Sequence, residues 1–397
     1  MPTVDDLKPS WRRSARAAVL RWYDRNGRRL PWRNSRDAYR IWVSEIMLQQ
    51  TTVAAVIPYF DRFLQRFPTV QDLATAPLDD VMRLWEGLGY YSRARNLHAA
   101  AQHVVTHFGA QFPADVDRLQ KLPGVGRYTA GAIASFAFDL PAPIVEANTA
   151  RLFARLLALD RELKTTAAQK ELWRLAEWLV PRTRPGDFNQ AVMDVGAHIC
   201  RPDDPLCDEC PLERHCAARK QGVQDRIPVS SSARSMTDVV ELAVVMSRRG
   251  RWLVRQYAQG ERWAGLWDFV RMPLTPDVAE KVVSTDIRKT RQKPARGQRT
   301  LFVSEAGQRP DDRLSLPACV LTLVQQRTGM RIEASRELMQ MRHVVTRYRI
   351  RLAVHEVTQF SGRKSSDHHW KSAEQLRELA MPVTGRKILG AVLDGRQ

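Results

Sequence analysis

Four cysteines within a short stretch constrain the fold of this chain more than any other feature. Cys200, Cys207, Cys210 and Cys216 follow the spacing C-x6-C-x2-C-x5-C, and Pro211 comes after the third. Thiolates are soft donors that bind either zinc or an iron–sulfur cluster. A structural zinc site usually has two C-x2-C pairs, whereas this stretch has one such pair and two wider spacings. The pattern therefore predicts a loop folded around a [4Fe–4S] cluster, with zinc as the alternative.

Cysteine usage also indicates a cellular compartment. Four clustered cysteines in a long chain favour metal binding under reducing conditions over disulfides, and the distant Cys319 is predicted to be a small core residue. Residues 1–10 carry two aspartates and no apolar core, which is not the pattern of a secretory signal. No apolar run approaches the roughly 20 residues of a membrane span. We therefore expect a cytoplasmic protein that makes no membrane contact.

The charge of the chain indicates the class of its partner. Lysine and arginine number 62 against 43 aspartates and glutamates, a net charge of +19. Residues 1–228 hold a surplus of 6 basic residues, and residues 229–397 hold a surplus of 13. Such an excess favours a polyanionic partner. Much of it is expected in the second part, including the run 288–299, which is either a backbone-binding arm or a solvated loop.

A serine-rich stretch without apolar periodicity, 225–238, separates two parts of different character. The first part is predicted to be almost entirely helical, because apolar residues recur at helical spacing; its helical windows are 11–25, 38–50, 51–66, 92–108, 127–138 and 149–159. The second part is predicted to be α+β, with strands at 239–246, 251–256 and 348–356 and helices at 312–330 and 372–380.

A glycine hairpin joins two of the predicted helices. Leu122-Pro123-Gly124-Val125-Gly126 ends one helix and precedes another. Gly124 and Gly126 would let the backbone approach an anion, and the new helix would present free N–H groups to a DNA phosphate. An ordinary tight turn between helices has the same pattern, so this motif alone leaves both interpretations open.

The hairpin together with the cysteine spacing resembles the helix-hairpin-helix DNA glycosylase superfamily, which includes endonuclease III. Two further motifs, 41–51 (IWVSEIMLQQT) and 88–97 (LGYYSRARNL), are similar to the adenine DNA glycosylase (MutY) family within it. The resemblance is strong over about 10–228 and weaker beyond. It implies a mainly α helix-hairpin-helix glycosylase fold with an iron–sulfur cluster loop, followed by a C-terminal α+β Nudix-like domain.

The resemblance also implies a division into domains. The catalytic domain is expected at 1–228, the linker at 229–238 and the Nudix-like domain at 239–397. Within the catalytic domain, 30–140 forms the central helical subdomain, and 1–29 joins 141–228 in the cluster subdomain.

Glu45 is the first candidate catalytic residue. Its neighbours one helical turn away are mostly apolar, so its carboxyl is expected to be desolvated and protonated near neutral pH, as a general acid requires. The residues alone equally allow a structural glutamate bonded to a helix end. The resemblance implies that Glu45 protonates adenine. It also places Tyr128 where strand-cutting relatives have a lysine, and without an amine no Schiff base forms.

Glu146 is the second candidate. The family usually has Asp-Gly-Asn where this chain has Glu146-Ala147-Asn148. We expect Asn148 to be the N-cap of the following helix and Glu146 to lie just before it, held ionised by the helix dipole. An ionised carboxylate there would stabilise an oxocarbenium-like sugar. A purely structural role in capping is the alternative.

Further residues are assigned by the resemblance alone. A buried adenine must be flipped out of the duplex before its glycosidic bond can be reached. Expected DNA contacts are Gln49, Gln50, Leu88 and Tyr90, with Gly124 and Gly126 at a phosphate. Expected adenine-pocket residues are Arg28, Trp32 and Asp194.

The second part resembles the Nudix-like domain of this family through residues 263–269. Gln325 and Gln326 stand where Nudix hydrolases have metal-binding glutamates, so no pyrophosphohydrolase activity is predicted. The family reads 8-oxoguanine through a Phe-Ser-His loop, which corresponds here to Val345, Thr346 and Arg347. Only Thr346 keeps the hydroxyl group.

The resulting hypothesis is a monomeric, nucleoid-associated bacterial enzyme. It would remove adenine from double-stranded DNA at 8-oxoguanine:adenine or guanine:adenine mispairs. Two alternatives are an endonuclease III-like glycosylase for oxidised pyrimidines and a cluster-containing DNA-binding protein that has lost its chemistry.

Overall fold

A computed structural model describes residues 3–229, 235–282 and 316–394, together with the backbone of 302–305. The basic run 288–299 lies outside the described residues. The chain divides into two compact units, one of Met1–Ala76 with Arg93–Ser232 and one of Pro77–Ser92 with Ala233–Gln397. Among the helices described, none combines the length and the apolar character needed to cross a membrane.

The first unit consists of helices and short turns. Its helices are α1 (Pro9–Asn26), α2 (Ala38–Leu48), α3 (Val53–Arg66), α4 (Val70–Thr75), α6 (Ser92–Phe108), α7 (Val116–Gln120), α8 (Arg127–Phe138), α9 (Ala147–Leu156), α10 (Thr166–Leu179), α11 (Pro185–Asp194) and α12 (Ala217–Gln221). The intervening helix α5 (Leu78–Leu84) belongs to the second unit. All six helical windows predicted from the sequence coincide with helices.

Side-chain caps explain where several helices begin. Asp37, Thr52 and Thr165 each accept a hydrogen bond from a backbone N–H in the first turn of α2, α3 and α10. Such caps satisfy donors that have no partner within the helix. Apolar residues of α9, α10 and α11 then form one core beside the four clustered cysteines.

The second unit is built on a seven-stranded sheet within its described residues. The strands are β1 (Thr237–Arg248), β2 (Arg251–Gln256), β3 (Trp267–Leu274), β4 (Phe302–Glu305), β5 (Met330–Val345), β6 (Tyr348–Gly362) and β7 (His368–Ser372), in the order β4-β5-β6-β1-β3-β2-β7. Strands β1 and β6 are parallel, and the other neighbouring pairs are antiparallel.

Helices cover both faces of this sheet. They are α13 (Pro276–Val282), α14 (Ala318–Thr328), α15 (Ala373–Glu378) and α16 (Val383–Asp394). One core includes residues of α13 and α14, and the other includes residues of α15 and α16. The α+β prediction is confirmed, and β5 is the long strand that the sequence patterns did not indicate.

One structural expectation was wrong. Cys319 is exposed on α14 and is not a core residue. Residues 77–92, expected within the helical part, cluster with the second unit. Local periodicity correctly indicates that α5 is a helix, but it carries no information about which unit the helix packs in.

Candidate active site

A cleft of about 610 Å³ opens in the first unit. It brings together most of the residues that the sequence assigned to catalysis and base binding. Its walls include Arg28, Trp32, Glu45, Gln49, Gln50, Tyr128, Glu146 and Asn148. These residues come from α2 and the segments on either side of it, from α8, and from α9 and its N-cap, so the site depends on the packing of several helices.

Glu45 lies on α2 with only 3% of its surface exposed. Burial raises the pKa of its carboxyl group to about 7, and the charge of Glu146 raises it as well. The Tyr128 hydroxyl donates a hydrogen bond of 2.6 Å to Glu45 Oε2, which lowers this pKa and opposes the effect of burial. The carboxyl therefore exchanges its proton near neutral pH, within a cleft large enough for a base.

Tyr128 itself cannot supply a base at this pH. Burial raises the pKa of its hydroxyl well above the ordinary value, and the neighbouring Glu45 raises it further. Tyr128 thus remains a neutral hydrogen-bond donor that orients the Glu45 carboxyl group.

Arg28 and Arg33 meet on Asp194, which is the last residue of α11 and is 1% exposed. Arg28 Nε donates to Asp194 Oδ1 at 2.6 Å, and Arg33 Nη1 donates to Oδ2 at 2.8 Å. Burial would raise the pKa of Asp194, but Arg33 and Arg28 outweigh it and lower that pKa. Asp194 is not among the residues lining the cleft; it lies beneath the wall and holds the two arginines that do line it.

Glu146 is the N-cap of α9. Its two carboxylate oxygens accept hydrogen bonds of 2.8 Å from the backbone N–H groups of Asn148 and Thr149. The expectation that Asn148 would be the N-cap was wrong, because the longer glutamate side chain folds back onto the helix end and takes that place. Asn148 lies inside the helix and accepts a hydrogen bond of 3.0 Å from Arg151 Nη2.

The hairpin before α8 has the backbone that its glycines suggest. Gly124 has a φ of 76°, and a Cβ added to it would lie 2.8 Å from Asn96 Cβ. Gly126 is the N-cap of α8, and no atom lies within 4 Å of the place its Cβ would occupy. The protein therefore needs glycine at 124 for its own packing, whereas space is left open beside Gly126.

The proposed DNA-contacting side chains differ in exposure. Gln49 and Gln50 follow the end of α2, where the buried Arg93 binds the carbonyl oxygens of Ile46, Met47 and Gln49. Gln50 is exposed and has a φ of 56°. In the second unit, Tyr90 is half-buried, but Leu88 is buried at 6% exposure and does not offer its side chain to solvent.

Thr346 lies in the second unit, at the turn between β5 and β6. Its φ is 51°, and its hydroxyl donates a hydrogen bond of 2.8 Å to the carbonyl oxygen of Val345. The turn exposes Thr346 and Arg347 together. Gln325 and Gln326 are exposed on α14, as amides rather than carboxylates.

The four clustered cysteines all line one small cavity, whose walls also include Leu152, Leu156 and Leu212. None of the four is in a disulfide. Within the described ranges, no three histidine, cysteine, aspartate or glutamate side chains converge closely enough to hold a single metal ion. A [4Fe–4S] cluster has a different requirement, since each thiolate binds its own iron at a corner of a larger object. Thiols arranged around a cavity with apolar walls fit that donor set.

Several buried arginines near the cleft and the cysteines were not predicted from the sequence. Arg33 lines the cleft, and Arg93 binds the carbonyl oxygens at the end of α2. Arg155 donates to Cys200 Sγ at 3.2 Å and to the Ile227 carbonyl oxygen at 2.8 Å. In a chain with this many arginines, no local signal distinguishes a buried arginine from a solvated one. A basic residue on the apolar face of a predicted helix, as at Arg155, was the only hint.

Comparison with protein families identifies the class of the chain. A model of the HhH-GPD superfamily of base excision DNA repair proteins matches residues 43–177, and a NUDIX domain model matches 242–391. The fold is therefore a helical glycosylase-type domain followed by a Nudix-like α+β domain, as the sequence predicted.

Individual relatives narrow the assignment. The chain is 38% identical over 252 residues to the adenine DNA glycosylase of Buchnera aphidicola subsp. Schizaphis graminum, a match covering 63% of this chain and 73% of that protein. The chain belongs to the adenine DNA glycosylase family.

Other matches are more partial. The human adenine DNA glycosylase is 48% identical over 237 residues, covering 57% of this chain and 43% of that protein. The chain thus spans less than half of the length of this mammalian relative. A solved thermostable thymine-DNA glycosylase is 30% identical with a TM-score of 0.49, covering 53% of this chain and 98% of that one.

Proposed function

We propose that the chain is a monofunctional adenine DNA glycosylase that acts where adenine is paired with 8-oxoguanine or guanine. The observation that carries the proposal is the Glu45 carboxyl, whose pKa burial raises to about 7 in a cleft that also holds Glu146. A protonated and an ionised carboxyl group on one cleft are what glycosidic cleavage requires.

The proposed reaction begins with a flipped adenine in the cleft. Glu45 protonates an imidazole-ring nitrogen of the base, and the electrons of the glycosidic bond pass to the leaving adenine. Glu146, held by two backbone N–H groups, stabilises the positive charge that develops on the sugar. Water then adds to the sugar carbon, and its proton returns to a carboxylate, which leaves free adenine and an abasic site.

DNA binding is assigned to both units. Gln49, Gln50 and Tyr90 would fill and stack in the gap left by the flipped base, and Gly124 and Gly126 would bind a phosphate. Thr346 would contact the edge of 8-oxoguanine. The monomeric state, the nucleoid location and the domain limits at 228 and 239 stay predictions.

Single-turnover assays test the function. Matched duplexes carry adenine opposite 8-oxoguanine, guanine or thymine, and free adenine and strand breaks are measured separately. We expect free adenine without strand scission until alkali is added. Pyrimidine release with scission would support the endonuclease III-like alternative instead, and tight binding without release would support a DNA-binding protein without chemistry.

We also propose that Cys200, Cys207, Cys210 and Cys216 hold a [4Fe–4S] cluster. Its chemistry here is structural, because four iron–thiolate bonds would fix a loop that also carries arginines. Iron and acid-labile sulfide are measured on the purified protein and on Cys207→Ser and Cys319→Ser variants. We expect loss of iron only in Cys207→Ser, because Cys319 lies exposed on α14. Zinc without sulfide in the unmodified protein would reject the cluster.

A further inference from the structure

The loop that carries Tyr90 has an unusual backbone. Gly87, Gly89 and Tyr90 have φ values of 98°, 72° and 48°, and the last of these is a non-glycine residue in the left-handed region. Trp85 Nε1 donates to the Gly89 carbonyl oxygen at 3.2 Å, and the Gly87 N–H donates to the Tyr91 hydroxyl at 3.2 Å. A backbone of this kind persists only where its surroundings hold it. We call Gly87, Leu88, Gly89 and Tyr90 the 87–90 loop.

Glu86, the residue just before this loop, forms an ion pair with a residue of α16. Arg386 of α16 donates to both carboxylate oxygens of Glu86, at 2.8 Å from Nε and 2.7 Å from Nη2. The Met381 N–H also donates to Glu86 Oε2, at 3.3 Å. Arg386 and Glu86 are 30% and 18% exposed, so solvent screens this two-point contact only in part.

Arg386 is itself held in place. Its guanidinium donates to the carbonyl oxygens of Leu376 and Leu379, at 3.0 Å and 2.6 Å, at the end of α15. The position of Glu86 is therefore fixed by α15 and α16, and these two helices pack on one face of the sheet. Thr346, at the β5–β6 turn, is carried by the same unit.

We propose that Glu86 and Arg386 are positioning residues. Through this ion pair the second unit holds its 87–90 loop, so that contact of the unit with the base opposite adenine controls insertion of Tyr90. The inference rests on the proposed function. It assigns lesion preference to an ion pair that touches neither the adenine nor the reacting sugar.

The test measures a ratio that a merely stabilising ion pair would not change. Single-turnover rates of adenine release are compared opposite 8-oxoguanine and opposite guanine, for the unmodified protein, Glu86→Gln, Arg386→Gln and the double variant. We expect each single variant to lower the ratio of the two rates about tenfold, within the range of coupling between contacting residues. The double variant should lower the ratio no further, because both changes break the same link.

A second ion pair close in sequence to the first serves as a control. Arg83 of α5 and Glu378 of α15 form an ion pair, but their side chains are 41% and 69% exposed. Arg83→Gln and Glu378→Gln should leave the ratio unchanged. Thermal unfolding is followed in parallel, and if a Gln variant does not fold, Glu86→Asp and Arg386→Lys are measured by the same ratio.

The outcomes separate this inference from the function on which it rests. If the unmodified protein releases no adenine from any duplex, the proposed function fails. If it releases adenine with a preference for 8-oxoguanine but the Glu86 and Arg386 variants keep that preference, the positioning role is rejected. Equal slowing on both duplexes, or an unmodified protein without lesion preference, also rejects it.

Discussion

Glu45 combines two properties that a general acid needs, contact with the cleft and a pKa near the working pH. Burial is the main cause of its raised pKa, and Tyr128 supplies a short hydrogen bond that opposes the rise. Proton transfer by such a group typically accelerates a reaction by about 10²–10⁴-fold. In the proposed reaction the acid is thus a side chain whose environment excludes water from most of its surface.

The activity should follow the protonation of Glu45. Because the proposed reaction uses the acid form of Glu45, we expect the single-turnover rate to fall as the pH rises through about 7. Glu45→Gln should lower the rate at least about a hundredfold. Tyr128→Phe removes a bond that lowers the pKa, so its rate profile should move to higher pH. A profile that does not move would contradict the assigned contact.

The raised pKa of Glu45 should also make the stability of the protein depend on pH. The folded-state pKa of Glu45 lies above its ordinary value of 4.5, so the folded protein binds more protons between that value and about 7. The contribution to the free energy of unfolding is therefore complete below pH 4.5 and is lost as the pH rises through about 7. Relative to Glu45→Gln, the free energy of unfolding of the unmodified protein should fall by up to about 1.4 kcal/mol per pH unit in this window. Urea unfolding of both proteins at several pH values measures this difference.

At the scale of secondary-structure elements, α9 connects the cleft of the first unit with its cysteine loop. Its N-terminus bears Glu146, and two arginines further along bind the first clustered cysteine. Arg151 Nε donates to the Cys200 carbonyl oxygen at 2.7 Å, and Arg155 Nη1 donates to Cys200 Sγ at 3.2 Å. A single rigid helix therefore fixes the distance between the cleft and the cysteine loop.

Replacing the cap of α9 should separate charge from helix stability. Glu146→Gln keeps only one of the two acceptor oxygens and removes the charge, so we expect the rate to fall at least tenfold and the free energy of unfolding to fall by about 1 kcal/mol. Thr165→Ala is the control, because Thr165 caps α10 by accepting from Ala168 N. It should cost about 1 kcal/mol of stability and leave the rate unchanged. Full excision activity in Glu146→Gln would rule out the catalytic assignment.

At the scale of the entire chain, most of the net positive charge and the proposed catalytic residues lie in different parts of the sequence. The surplus of +19 is concentrated in residues 229–397, whereas the carboxyl groups of the cleft lie in the first unit. Arginines and lysines that neutralise phosphates release counterions, which makes DNA affinity depend on salt.

The affinity for duplex DNA should therefore weaken at least about tenfold between 50 and 200 mM salt. Glu45→Gln should show the same salt slope as the unmodified protein, since the role proposed for Glu45 is at the base and not at phosphates. Fluorescence anisotropy with a labelled duplex measures both slopes. A flat salt dependence would contradict the electrostatic role of the second part.

Features that depend on local pattern and side-chain chemistry can be predicted from the sequence of this protein. Helical periodicity predicted the helices of the first unit, the change to strand patterns predicted the α+β unit, and the cysteine spacing predicted a common site. The apolar neighbours of Glu45 predicted its burial, because residues one turn apart share a helix face.

Contacts between residues far apart in the sequence become visible only in the folded chain. Asp194 binds Arg33 across 161 positions, and Arg386 binds Glu86 across 300. The same packing placed residues 77–92 with the second unit and made Glu146, not Asn148, the cap of α9. Local periodicity does not encode such contacts, because they arise when separate elements pack and each buried charge must find a partner.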